Sequence, residues 1–372
     1  MKQFMCLAFA LCLLLCGCGG GVEETTAAST VDTTPEATAA PTTEPTTVPT
    51  TVPETTEPVL LYHHPLNGEL LEAPWTGRAT AVVINNIKDA LPQYGTSYAD
   101  IIYELETEGG ITRLLAVFSD LRNVGSIGPV RSARTFFNNV ALSHDAVLIH
   151  CGGSQFALNG NYSSNGDTIT GWQHINEQNN GSYFFRDRAR YNSGYAWEHT
   201  LFTNGEKLLE GLSDKGYNIS YEGDGYDHGL TFAEAPGVTG TSATSVTVKF
   251  RGSKTTSFQF DIESGLYKAS QYGSGMMDAG ADKQLAFRNV LVLYANQSFT
   301  YDGYYYRSFY QLSGNGKGSL ICDGQIVPIT WHRDALRGSF SYTSQDGTPV
   351  TLGVGKTYVG VVDASRGGVT FE

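Results

Sequence analysis

The chain has 372 residues, a formal net charge of −13 and 16% charged residues. The excess of acidic residues argues against a nucleic-acid partner, because phosphate backbones are bound by Lys- and Arg-rich surfaces. About 310 residues remain after the leader and linker described next. A chain of that length exceeds one typical hydrophobic core, so we expect two folded domains.

Residues 1–17 are typical of a secretory signal peptide. Lys2 precedes an apolar run, Phe4 to Leu15, that is too short to span a bilayer as a helix. The sequence Leu-Cys-Gly-Cys at 15–18 resembles the bacterial lipobox, with Leu at −3 and Gly at −1 relative to Cys18. Cys18 is therefore the predicted lipidation site, and Cys16 does not fit because Leu15 would precede it. A lipid on Cys18 predicts an anchor at the outer face of the cytoplasmic membrane. The alternative is an ordinary cysteine-rich signal peptide.

Residues 18–59 are rich in Thr, Pro and Glu, with the loose repeat PTTEPTTVPTTVPETTEP and no aromatic residue, Lys or Arg. Such a segment cannot bury enough apolar surface to offset its ordering entropy. It predicts a disordered tether that holds the folded part away from the membrane. The tether carries seven acidic residues, which leaves a net charge of about −7 on the folded part.

The folded part predicts an α+β protein in two domains. Residues 60–228 indicate an α/β-like N-terminal domain with a mixed sheet, and residues 229–372 indicate a mostly antiparallel β C-terminal domain. Cys151 and Cys322 are interpreted as buried thiols rather than an interdomain disulfide. No motif predicts a metal or another cofactor. The predicted N-terminal elements are strands Ala79–Ile84, Ile101–Leu105, Ile111–Phe118 and Ala146–Ile149, helices Ser132–Leu142, Gln155–Leu158 and Asn204–Lys215, and a loop at Asn159–Gly181.

Several segments, in this order and spacing, resemble the YerB-like lipoproteins of Gram-positive bacteria. They are AVVINN, ADIIYELETEGGITRLLAVF, GSIGPVRSART, HDAVLIHCGGS and FRD-x₁₀-EHTLFT, with weaker matches at NVLVLY and TWHR. The resemblance implies a lipobox, a spacer, an α/β N-terminal domain and a β-rich C-terminal domain. It also implies placement outside the membrane and a role around cell-wall assembly, and it supplies no established reaction.

A more remote resemblance, at the level of topology, is to the LytR-CpsA-Psr cell-wall ligases. Those enzymes hold a polyprenyl pyrophosphate with arginines and aspartates beside a central sheet. No counterpart of their acidic cation-binding pair is recognisable in this sequence. The resemblance supports an alternative hypothesis, an enzyme acting on polyprenyl-(pyro)phosphate-linked glycans, with fold analogy as its only basis.

The sharpest local signal is a basic loop at residues 125–134. Arg131, Ser132 and Arg134 stand at a predicted helix start, and Arg113 lies on the preceding strand. Free N–H groups at a helix N-terminus and planar guanidinium groups both bind phosphate or carboxylate. The alternative is that these arginines pair with Glu104, Glu106, Glu108 or Asp145 and close the edge of the sheet.

Further polar residues are candidates for supporting roles at this site. Glu104, Glu106 and Glu108 alternate, so a strand would place them on one face, as a metal site or as a salt-bridge lattice with the arginines. Glu198 and His199 suggest a carboxylate that orients an imidazole. Cys151 and His150 suggest a Cys–His dyad. Strand-end capping by His150 is the simpler interpretation. The remaining candidates are Asn85, Arg186 and Asp187.

The C-terminal aromatic residues Tyr304, Tyr305, Tyr306, Tyr310, Trp331 and Tyr342 either line a glycan-binding groove or form the core of the β domain. The sequence thus favours a surface-anchored binding or scaffold lipoprotein in envelope assembly. Its expected partners are the membrane, through the lipid, and a cell-wall glycan or phosphate ligand or an envelope protein.

Overall fold

The computed structural model describes residues 61–159, 173–223, 225–334 and 338–372. The predicted signal peptide, Cys18 and the tether lie outside the described residues. Pro58–Glu372 form one compact unit. No helix among the described residues is long and apolar enough to cross a membrane.

The N-terminal half contains a set of long central strands, several short strands and four α-helices. The strands are β1 Tyr62–His63, β2 Leu70–Leu71, β3 Thr80–Asn85, β4 Ile101–Glu106, β5 Thr112–Phe118, β6 Ser126–Ile127, β7 Val147–His150, β8 His174–Asn176, β9 Phe185–Arg186 and β10 Leu201–Asn204. The helices are α1 Thr135–Ser143, α2 Gln155–Asn159, α3 Arg188–Asn192 and α4 Gly205–Asp214.

The C-terminal half consists of strands joined by turns. They are β11 Phe232–Ala233, β12 Thr241–Ser242, β13 Ser245–Lys249, β14 Thr255–Asp261, β15 Leu266–Gln271, β16 Ser274–Gly275, β17 Met277–Asp278, β18 Lys283–Gln284, β19 Ala286–Phe287, β20 Asn289–Ala295, β21 Gln297–Tyr301, β22 Tyr306–Tyr310, β23 Gly314–Cys322, β24 Gln325–Arg333, β25 Ser341–Ser344, β26 Leu352–Gly353, β27 Thr357–Asp363 and β28 Gly368–Phe371.

A mixed central sheet runs through both halves in the order β12-β24-β23-β20-β27-β4-β5-β3-β7-β8. Its middle strands are continuous apolar runs because both faces are covered. Alternate residues of β3 enter two different cores: Ala81 and Val83 join α1 on one face, whereas Val82 and Ile84 join a smaller sheet built around β13, β14 and β15 on the other.

Strand β27 connects the two halves of the chain. It pairs in parallel with β4 on one side and with β20 on the other, placing Val359 opposite Tyr103 and Leu291. The C-terminal half is thus mostly antiparallel, with parallel pairing at this junction and in the short pair β11–β26, and the predicted α+β fold class is confirmed. The domain boundary at residue 229 stays a prediction, since the strands on either side of it share one sheet.

Local sequence signals identified the long strands and three of the four described helices of the N-terminal half, and missed its short strands and α3. The β4–β5 hairpin forms in antiparallel register, and Asn204 caps α4 by accepting a hydrogen bond from the Lys207 backbone N–H at 2.8 Å. The predicted loop 159–181 is wrong at β8, which extends the sheet beside β7. Residues 160–172 of that loop lie outside the described residues.

Helix α1 begins later than predicted. It starts at Thr135, with Arg134 at the N-cap position and without a side-chain cap. The predicted helix start at Ser132 is therefore wrong. The reason is long-range pairing: the Ala133 N–H donates to the Gly152 carbonyl at 3.0 Å, and the Ser154 N–H donates to the Ala133 carbonyl. These bonds hold the backbone before Thr135 extended.

Candidate anion-binding site

The basic loop crosses the end of strand β3. The Asn85 N–H donates to the Pro129 carbonyl and the Arg131 N–H donates to the Val83 carbonyl, both at 2.8 Å. On its other side the Cys151 N–H donates to the Arg131 carbonyl at 3.0 Å. Backbone bonds on both sides fix the loop, so its side chains start from a rigid frame.

Arg113 is a buried cation that makes no direct ion pair within the described residues, although the charge of Glu108 acts on it. It stands at the start of β5, opposite Asn85, and is 5% exposed. Its Nη1 donates to the Ser132 carbonyl at 2.6 Å, its Nε has no hydrogen-bond partner, and it forms no ion pair within the described residues. Burial lowers the pKa of Arg113 well below its usual value, and the neighbouring charges of Arg134 and Arg131 lower it further, against the charge of Glu108, which raises it.

Arg131 is the more accessible guanidinium. Its side chain is 21% exposed, and its nearest carboxylate, Glu198, lies 3.8 Å away. Its buried Nε also has no hydrogen-bond partner among the described residues. Burial lowers the pKa of Arg131, against the opposing charge of Glu198. Arg131 therefore keeps unused hydrogen-bonding capacity.

Arg134 uses all three of its guanidinium nitrogens as hydrogen-bond donors. Its Nε and Nη2 donate to the Glu108 carboxylate at 2.8 and 2.7 Å, and its Nη1 donates to the Ala133 carbonyl at 2.8 Å. Burial alone would raise the pKa of Glu108, but hydrogen bonds and charge from Arg134 hold it below its usual value. Arg307 approaches the same carboxylate at 3.8 Å. Hereafter Arg113, Arg131, Arg134 and Arg307 are the arginine cluster.

Glu198 lies 3.8 Å from Arg131, and three further predicted supporting residues contact Glu198 or its neighbours His199 and Trp197. The Asn85 amide contacts His199 Nδ1 at 3.1 Å, and His199 Nε2 lies 3.9 Å from Glu198. Burial lowers the pKa of His199. Arg186 stacks over the Trp197 ring at 4.5 Å and donates to the Trp197 carbonyl. These side chains form a polar rim around the arginine cluster.

The other predicted residues have separate structural partners. Asp187 caps α3 by accepting a hydrogen bond from the Arg190 N–H at 3.0 Å. His150 is fully buried between the Gly152 carbonyl and His174, and burial lowers its pKa to about 4. Ser132 contributes its carbonyl to Arg113 rather than a hydroxyl to a helix start.

The thiol of Cys151 and the imidazole of His150 do not face each other. Cys151 Sγ donates to Glu177 at 3.2 Å, whereas His150 Nε2 contacts His174 at 2.9 Å. Burial and the hydrogen bond to Glu177 raise the pKa of Cys151 to about 12. The thiol is therefore protonated at neutral pH, and both Cys151 and Cys322 are free.

Glu104 belongs to a different centre. It is fully buried between the central sheet and the smaller sheet, with the Lys254 ammonium at 3.0 Å. Burial would raise the pKa of Glu104, but the charge of Lys254 and several hydrogen bonds lower it. Lys254 and four uncharged donors, the side chains of Asn86, Thr112, Thr256 and Tyr358, form with it the Glu104 network.

The sequence interpretation missed Lys254, Glu177 and Arg307. Glu177 follows a stretch rich in Asn and Gly that resembles a loop, and Arg307 lies within a run of tyrosines. Neither position carries a motif. Long-range pairing alone brings Arg307 to Glu108, since 199 residues separate the two in sequence.

Two family models match the chain. The N-terminal domain of the family described as "Protein of unknown function (DUF3048)" matches residues 66–218, and its C-terminal domain matches residues 246–359. The chain belongs to this family. Within it, three members of the arginine cluster fall in the first matched domain and Arg307 falls in the second.

One relative carries the name of a lipoprotein. The chain is 28% identical over 312 residues to the protein named "Putative lipoprotein YerB" of Bacillus subtilis (strain 168), covering 80% of this chain and 88% of that protein. It also matches the crystal structure of the YerB protein from Bacillus subtilis, with a TM-score of 0.70 and 26% identity, over 83% of this chain and 99% of that one. The YerB-like resemblance is confirmed, and lipoprotein nature is supported at the level of the family.

Proposed function

We propose that this protein is a lipid-anchored, extracytoplasmic binding protein of the cell envelope whose arginine cluster holds an anionic group of an envelope component. The observation that carries the proposal is Arg113. A buried guanidinium without a direct ion pair is costly, and native proteins normally pair such a charge. An anion between Arg113 and Arg131 would accept hydrogen bonds from both unpartnered Nε groups.

The rest of the site limits the ligand. Glu108 already occupies Arg134, and Glu198 stands at the rim beside Arg131. A compact, doubly charged group such as phosphate gains more from two guanidinium groups than a monocarboxylate does. Cell-wall glycans that carry phosphate supply such groups, whereas acidic segments of envelope proteins offer only monocarboxylates.

Titration calorimetry tests the proposal on the chain from residue 19 onward. Inorganic phosphate, pyrophosphate and acetate are the probes, and Arg113→Met, Arg131→Ala and Arg122→Ala are the variants. Arg122 is the matched control because its side chain is 77% exposed and pairs only with Asp120. We expect saturable phosphate binding that weakens about tenfold or more in the two cluster variants, since a charge-assisted hydrogen bond is worth about 1.5–3 kcal/mol. Equal affinity in all four proteins, or no saturable binding, would overturn the proposal.

The same proteins separate binding from catalysis. A binding protein leaves a polyprenyl-pyrophosphate-linked glycan unchanged. Turnover of that substrate by the wild type, lost in Arg131→Ala, would instead support the enzymatic alternative.

The anchor is tested by lipid labelling in cells. Cys18→Ser should lose incorporation of labelled fatty acid and leave the membrane fraction, while Cys16→Ser retains both. Labelling that survives Cys18→Ser would contradict the predicted lipidation site.

A further inference from the structure

A cavity of about 610 Å³ lies between the end of β4, strand β13, the β21–β22 hairpin and the turn after β27. It is called the Glu106 cleft here and is lined by Glu106, Lys249, Arg251, Phe299, Tyr306 and Arg366. Both family-matched halves of the chain contribute to it.

The cations of the cleft are near the Glu106 carboxyl group but make no direct ion pair within the described residues. Lys249, Arg251 and Arg366 form no ion pair within the described part of the chain, although the protein as a whole is acidic. The Arg251 guanidinium lies 4.7 Å above the Phe299 ring. This cation–π contact orients Arg251 and leaves its hydrogen-bonding edge unused.

The carboxyl group of Glu106 is also incomplete. Glu106 is 2% exposed, and its Oε2 has no hydrogen-bond partner among the described residues. Its surroundings are Arg251, Arg366 and Asp363, the last of which caps its own turn through Ser365. A buried carboxyl oxygen without a partner is rare in native proteins and indicates a missing hydrogen-bonding group.

The aromatic side chains complete the chemistry. Phe299 and Tyr306 are 37% and 68% exposed, so both rings are accessible to a ligand in the cleft. Aromatic faces stack on the C–H faces of sugar rings, guanidinium and ammonium groups bind phosphate, and a carboxyl group bonds to hydroxyls. Together these groups fit a ligand that carries both a sugar ring and a phosphate better than inorganic phosphate or an uncharged sugar.

We infer that the Glu106 cleft is a binding site for a phosphate-bearing sugar unit, separate from the arginine cluster. Arg251, Lys249 and Arg366 bind the phosphate, Tyr306 and Phe299 pack on the sugar, and Glu106 bonds to a hydroxyl or phosphate oxygen. Burial raises the pKa of Glu106 to about 7, against the charge of Arg251, so the group is readily neutral when an anion approaches.

Calorimetry on the chain from residue 19 onward tests the inference in the Arg131→Ala background, which weakens phosphate binding at the arginine cluster. Glucose 1-phosphate is compared with glucose and inorganic phosphate, and phosphorylated dextran distinguishes a polymeric source from a soluble one. We expect glucose 1-phosphate to bind more tightly than either fragment. Tighter binding of phosphorylated dextran would assign the site to a polymer.

Matched variants locate the binding. Arg251→Ala should weaken it about tenfold or more, and Tyr306→Ala about threefold to tenfold. Tyr304→Ala is the aromatic control, since Tyr304 is 72% exposed on the same hairpin and does not line the cleft. Arg122→Ala is the charge control. Binding should also tighten more between pH 8 and pH 6 in the wild type than in Glu106→Gln, because the titration of the phosphate itself is common to both. Absent binding, or equal loss in variants and controls, would overturn the inference.

Discussion

The Glu104 network and the arginine cluster each contain a buried charged residue on neighbouring strands, Glu104 on β4 and Arg113 on β5. The two residues differ in the partners that the chain provides for them. Glu104 has a cation at 3.0 Å and accepts hydrogen bonds from four uncharged side chains, and all of these partners are buried. Arg113 is buried as deeply but has one carbonyl acceptor and no direct ion pair within the described residues. Both charges carry a desolvation cost. A direct ion pair compensates Glu104, whereas Arg113 has only the more distant charge of Glu108 among the described residues.

This difference distinguishes a structural charge from a candidate ligand site. A complete network holds the two sheets together, because removing any member leaves a buried group unsatisfied. An incomplete one keeps its capacity for an outside partner. The arginine cluster contains both kinds of charge. Arg134 is paired with Glu108, whereas Arg113 and Arg131 each keep an Nε group without a hydrogen-bond partner among the described residues.

The largest expected effect comes from breaking the Glu104 network. Lys254→Met leaves the Glu104 carboxylate buried without a cation, so the free energy of unfolding should fall by about 3–5 kcal/mol. Urea denaturation measures it. Lys268→Met is the matched control: its ammonium pairs with Asp261 on the adjacent strand but is 51% exposed, so the loss there should stay below about 1 kcal/mol. Equal losses in both variants would mean that the Glu104 network is not a structural centre.

The next effect concerns Glu106, two residues along the same strand. Burial raises its pKa from 4.5 to about 7. Between those values the folded carboxyl retains a proton that the unfolded chain has released. The free energy of unfolding should therefore decrease as the pH rises through this window, by up to about 3 kcal/mol.

The readout for Glu106 is the difference between the wild type and Glu106→Gln. Burial lowers the pKa of His144 to about 3 and that of His150 to about 4, and these groups make stability increase with pH below their usual value near 6.5. Their contribution is common to both proteins and cancels. A difference that does not change between pH 4.5 and 7 would contradict the prediction.

A much smaller effect on the free energy of unfolding is expected at Arg113. Because its charge has no direct ion pair among the described residues, Arg113→Met should lower the free energy of unfolding by less than about 1 kcal/mol, or raise it, in the absence of ligand. Urea denaturation without phosphate checks this against Lys254→Met. A loss as large as that of Lys254→Met would show that Arg113 is structural and would remove the contrast between the two regions.

The smallest effect on stability is expected for Arg131→Lys. The side chain is partly exposed and loosely paired, so the free energy of unfolding should change by less than about 0.5 kcal/mol. Phosphate affinity should still drop severalfold, because an ammonium lacks the planar fork of a guanidinium. Calorimetry beside denaturation separates the two quantities. Unchanged phosphate affinity would mean that Arg131 contributes only its positive charge and makes no directed hydrogen bond to the phosphate.

The sequence by itself determined the local structure. The apolar run of β3 and the cap at Asn204 act over a few residues, and each forms an element close to its predicted bounds. The family resemblance also followed from sequence, because its motifs recur in a fixed order. The same signals identified the arginines and carboxylates as groups that need partners.

Only the tertiary structure decided which partners they have. Glu104 meets Lys254 across 150 residues, and the predicted aromatic residues divide into buried Tyr310, Trp331 and Tyr342 and exposed Tyr304, Tyr305 and Tyr306. Strand β27 joins β4 in the same way, from the far end of the chain. Such contacts depend on how the sheets close and exclude water. A charge therefore has no fixed role in the sequence until the fold sets its burial and its neighbours.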